Sequence, residues 1–136
     1  MRASHADTLQ IGGQMTFQEW SLAAFQTMKD INEGSVKYVV DTPDGLEQSL
    51  NDNAVMFSRL TEIHMTAQRY VIEAVQAIKD ANPGMKPFDV QKAKSVTPEF
   101  MFSEIVESNI SSLRTIMDAH TSVLSYMKQE LAKQIR

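Results

Sequence analysis

Two histidines on helical segments, His64 and His120, and a carboxylate pair, Glu104 and Glu107, are the residues whose types and spacing could do chemistry. A di-metal carboxylate bundle needs Glu-x-x-His pairs projecting into a bundle interior. The residues before His64 are Thr61, Glu62 and Ile63, and those before His120 are Met117, Asp118 and Ala119, so neither imidazole has a carboxylate at minus three. Glu104 and Glu107 share a helix face, as solvated acids near a helix start commonly do. The chain has no cysteine, which excludes thiolate metal sites, thiol nucleophiles and disulfides. Five scattered glycines make no phosphate cradle, and no Ser, His and acid constellation stands out by spacing. The sequence therefore predicts a protein that is not an enzyme and holds neither metal nor cofactor.

The charge balance narrows the partners. Thirteen basic against seventeen acidic residues leave a net charge of -4, the wrong sign for sequence-independent capture of a phosphate backbone or an anionic lipid surface. No apolar run reaches the length of a membrane span, and Met1 to Trp20 contains no signal-peptide core. The expectation is a protein partner, no nucleic acid and no membrane insertion. The compartment expected is the cytoplasm, or the exterior by export without a cleavable signal peptide.

The elements that must position these residues are helices. Residues 1–15, rich in Ser, Gln, Gly, Asp and Thr, read as a flexible arm, and 16–136 as a single helical domain. Thr16-Phe17-Gln18-Glu19 is a capping box, and Phe17, Trp20, Ala24, Met28 and Ile31 follow at helical spacing until Gly34, predicting a helix over about 17–33. Trp20 on this apolar face is expected to be buried. Ser35 to Asp41 alternates like a strand but has no ladder partner, so an extended connector or a helical continuation is expected there. Thr42-Pro43-Asp44 and Thr97-Pro98-Glu99 each offer a capping hydroxyl, a proline at the first helical position and an early acid, opening helices over about 43–80 and 98–135. Between them, Ala81 to Val96 reads as a long loop in which Met85 and Phe88 cap the core.

Both long segments carry heptad seams. In one, Leu50, Phe57, Leu60, His64, Ala67, Val71, Ala74 and Ile78 recur at four-three spacing, interrupted by Asn53. In the other, Val106, Ile110, Leu113, Met117, His120, Leu124, Met127 and Leu131 do the same, with Ile116 and Val123 widening the stripe. The predicted fold is all-α, an N-terminal helix packed on an antiparallel hairpin of two long heptad-patterned helices. If Ala81 joins Pro98 directly across the hairpin, His64 and His120 fall within one or two turns of each other and form a pH-sensitive pair.

The back of the last helix is unusual for a solvated surface. Ser111, Ser112, Thr115, Thr121, Ser122 and Ser125 lie off the seam, with only Arg114 and Asp118 charged nearby, where Lys and Glu are ordinarily plentiful. Small uncharged side chains allow close approach of another backbone, and Met65 and Ile72 on the preceding helix also need cover. These eight residues are the predicted protein interface.

The layout of polar arm, short helix and two long helices resembles the small helical rod-base and inner-rod subunits of flagellar and type III export machines. The resemblance is one of length and pattern and carries no residue over. It implies a structural or assembly subunit working through helix-to-helix contacts in an oligomer or larger machine of secretion, rod or virion type. The alternative is a small adaptor or chaperone that holds a client helix in a methionine-rich groove formed by Met56, Met65, Met101, Met117 and Met127.

Overall fold

The computed structural model describes residues 15–35 and 42–135, and every regular element among them is helical: α1 (Phe17–Ser35), α2 (Pro43–Ala81), α3 (Pro87–Ser95) and α4 (Pro98–Ile135). The arm at 1–14 and the alternating stretch at 36–41 lie outside the described residues.

Local chemistry sets the helix starts. The Thr16 hydroxyl accepts from the Glu19 amide at 3.2 Å while the Thr16 amide donates to the Glu19 carboxylate at 3.2 Å, a reciprocal box at the head of α1. The Thr42 hydroxyl accepts from the Gly45 amide at 3.1 Å, and the Thr97 hydroxyl from the Phe100 amide at 3.2 Å, each one residue ahead of a proline that gives up no helical hydrogen bond there. α2 stops at Asn82, whose amide bonds back to the Ile78 carbonyl, and the chain turns at Gly84 with φ +87°.

α1 runs through Gly34 instead of stopping before it. Gly84 is the one described residue with positive φ, so Gly34 is helical. A Cβ placed on Gly34 would lie 3.2 Å from the Met56 Cε, so the glycine permits a close approach of α1 to α2. The expected loop at 81–96 is also corrected. Residues 87–95 form α3, which buries Val90 and leaves Phe88 70% exposed under the Lys92 ammonium, 5.2 Å from its ring. Phe88 does not cap the core, and Met85 is half-buried. The reason is the same set of signals that opens the other helices: Pro87 at the first position, Asp89 in the first turn and Lys92 and Lys94 in the last.

Contacts order the helices. Gln68 donates to the Ser103 hydroxyl at 2.7 Å, the Arg114 guanidinium lies 5.4 Å from the Phe57 ring, and the Ser49 hydroxyl meets the His120 Nδ1 at 3.2 Å, so residue numbers fall along α2 as they rise along α4. At one end of α1, Trp20 sits 5.3 Å from the Tyr70 ring and 5.4 Å from Phe102, and Phe17 packs on the same two rings at 5.7 and 5.9 Å. At the other end, Asn32 donates to Asn109 at 3.0 Å. Trp20, Ala24, Met28 and Ile31 of α1 join Leu60, Ile63, Ala67 and Tyr70 of α2 and Phe102, Val106 and Leu113 of α4 in one buried cluster. Each large member contributes about 1.5–3 kcal/mol by leaving water.

The buried line on α2 contains the predicted seam's centre and is wider than the seam. Leu60, Ala67 and Val71 of the seam are buried and its other members half-buried, while Leu46, Ser49, Ile63 and Tyr70 are buried beside it. The helix has two partners, and α1 draws the buried line round toward Ile63 and Tyr70. On α4 the core ends early: no described residue after Leu113 is buried.

Candidate protein interface

The histidine pairing fails on geometry. His120 sits at the level of Ser49, and His64 is fifteen residues further along α2, roughly 22 Å at 1.5 Å per residue. The His64 Nε2 instead lies 3.3 Å from the Gln68 side-chain nitrogen on its own helix. The expected register assumed that Ala81 meets Pro98. In the structure α3 occupies that end, the last turns of α2 pack beside it, and Lys79 and Asn82 share a cleft with Pro87, Val90 and Gln91. α4 therefore starts lower on α2, and the two imidazoles are carried apart.

All eight predicted interface residues are exposed on the chain. Thr115 and Thr121 donate their hydroxyls to the carbonyls of Ser111 and Met117 at 3.0 and 2.8 Å. Their polar groups are satisfied within the helix, so burial against a partner would not strand a donor. The eight do not make one patch. Ser112, Thr115 and Ser122 follow one another around the outer side of α4, whereas Thr121 and Ser125 fall on the other side of that helix by the 100° step per residue.

Larger apolar side chains, underweighted by a reading of hydroxyls, complete the outer side. Ile105, Ile116, Val123 and Tyr126 are 48%, 38%, 44% and 63% exposed. Sequence spacing assigned Ile116 and Val123 to a widened seam, but they precede the seam residues Met117 and Leu124 by one position and so point about 100° away from it. The usable signal was that Ile105, Ser112, Ile116, Ala119, Val123 and Tyr126 repeat at seven, four and three on their own. Among the described residues, fourteen large apolar side chains are exposed, as many as the hydrophobic residues that are buried.

The five methionines do not converge on one groove: Met56 and Met117 pack against the core cluster, Met127 is half-buried, and Met65 and Met101 are exposed. No cluster of three metal-ligating side chains occurs among the described residues. Glu19 is held below the usual carboxylate range, first by the hydrogen bond from the Thr16 hydroxyl and then by the Thr16 amide, which is a capping effect at a helix start. Tyr70 is pushed up by burial and by Glu73, and its hydroxyl donates to the Met15 carbonyl at 2.8 Å. No helix of the described residues is long and apolar enough to cross a membrane. Comparison with known proteins returns no matching family model, no matching curated protein and no matching solved structure.

Proposed function

We propose that this chain is a non-enzymatic structural or assembly subunit that works through helix-to-helix contacts in an oligomer or a larger machine of secretion, rod or virion type. Its working unit is an N-terminal helix on an antiparallel pair of long helices, with the outer side of α4 left for partners. The observation that carries this reading is the unburied half of α4. From Arg114 to Ile135 no side chain is buried, yet Ile116, Val123, Tyr126, Leu131 and Ile135 are all apolar and exposed. Exposed apolar surface on this scale marks sites of protein contact. Solvent alone gives a helix surface no reason to avoid Lys and Glu, which add ion pairs and solubility.

The test is the triple change Ser112→Glu, Thr115→Glu and Ser122→Glu. The three sites are exposed, so the helical circular dichroism spectrum and thermal midpoint should stay close to those of the parent. Sedimentation velocity should show that the assembled species of the parent is lost. A variant that assembles like the parent would contradict the reading.

A further inference from the structure

We propose that two copies of this chain pair through α4 with the helices antiparallel, along the line Ile105, Ser112, Ile116, Ala119, Val123 and Tyr126, with Ala119 on the twofold axis. The proposal rests on the assembly reading above and names its partner and surface.

The line is a second heptad face, each member one residue ahead of a member of the seam that faces α2, and all six residues are exposed. α1 meets α4 at Asn109, which its Asn32 contacts, and its described residues end three positions later at Ser35. The charged residues within this stretch turn away from it: Arg114 lies over the Phe57 ring of α2, and Glu107 and Asp118 fall on the far side of α4 by the 100° step per residue.

A twofold interface must be complementary to itself. With Ala119 on the axis, its small side chain lets the helices approach to the 8–10 Å of close helix packing. Ile116 then falls beside the partner's Val123, and Ser112 beside the partner's Tyr126, so the largest side chain meets one of the smallest. The charges also match. Glu104, near the start of α4, falls on the same edge as the partner's Lys133, near the end, and opposed helix dipoles favour the same orientation. A parallel pairing would leave Glu104 and Lys133 at opposite ends of the contact and set Tyr126 level with its own copy.

The absence of cysteine makes the test clean, since each introduced thiol is the only one in its chain. Ala119→Cys under mild oxidation should give a covalent dimer at micromolar concentration. Ser112→Cys and Tyr126→Cys should each remain uncrosslinked alone and crosslink to each other when mixed. Ser125→Cys, on the other side of α4, should not crosslink. Ile116→Glu should keep its helical spectrum and raise the dimer dissociation constant about 100-fold, because it would set a charge in the apolar contact. Glu104→Lys and Lys133→Glu should each weaken pairing, and the double variant should restore it. Failure of Ala119→Cys to dimerise, or self-crosslinking of Ser112→Cys, overturns the proposal. If the parent chain forms larger species while these thiols stay apart, this surface is wrong and the assembly reading stands. If the parent is a monomer at every concentration, the pairing proposed here is excluded together with self-assembly.

Discussion

Replacing Trp20 by alanine probes the contact on which α1, α2 and α4 converge. The indole is 0% exposed and is ringed by Phe17, Tyr70 and Phe102 at centroid distances of 6.3, 5.3 and 5.4 Å. Truncating a buried aromatic to alanine costs about 3–5 kcal/mol. The upper part of that range applies here, because edge-to-face and tilted pairs add about 0.5–1.5 kcal/mol beyond area. With a urea slope of about 2 kcal/mol per molar, the midpoint should fall by about 2 M, read by circular dichroism. Trp20→Phe separates packing from polarity. The indole Nε1 finds no acceptor among the described residues, and a buried donor without a partner costs about 1–3 kcal/mol. Phenylalanine keeps much of the packing and removes that donor, so its loss should stay below about 2 kcal/mol. A midpoint shift for Trp20→Ala under about 0.5 M, or a phenylalanine variant as damaged as the alanine one, would refute the argument.

Asn53 is 1% exposed and its Oδ1 has no hydrogen-bond partner among the described residues, so Asn53→Leu should stabilise the fold by about 1 kcal/mol, seen as a thermal midpoint about 4 °C higher. A lower midpoint would mean that the amide is satisfied in solution. Gly34→Ala should gain about 0.5–1 kcal/mol in urea denaturation, because the position is helical and among the described residues the only crowding atom is the Met56 Cε at the end of a flexible side chain; a loss would show that this methyl cannot move. Thr16→Ala should cost about 1 kcal/mol through the lost cap hydroxyl. The Glu19 carboxyl titrates below its ordinary value when folded, so its contribution is present above the unfolded carboxylate range and is lost as pH falls through the lowered folded value. The parent should therefore lose more stability than Thr16→Ala between pH 6 and strong acid, and parallel thermal melts would contradict that assignment.

The residues that start helices were legible because capping is local. Thr16 with Glu19, Thr42 with Pro43 and Thr97 with Pro98 need no knowledge of tertiary contacts, and each starts a helix where its spacing says. α3 was hidden because its equally local Pro87, Asp89 and Lys92 pattern was absorbed into the loop expected from Ala81 to Val96. That omission displaced the register of α2 on α4 and produced the false histidine pair. The buried line of α2 is wider than its seam for a different reason. A heptad count finds one seam, whereas Leu60, Ala67 and Tyr70 serve two partners at once, and polar Ser49 and Asn53 are buried through their position. The exposed, uncharged face was legible as an absence of charge around Ser112 and Ser122. The apolar line through Ile116 and Val123 was not separated from the seam beside it, because a shift of one residue looks like a broader stripe until the helix is placed.

The central claim is that the chain is built to be completed by other helices, and sedimentation equilibrium of the full chain over a wide range of concentrations tests it most directly. The account predicts a mass that rises with concentration from the monomer value of 15.3 kDa toward multiples of it. A single 15.3 kDa species from the lowest to the highest concentration would contradict it.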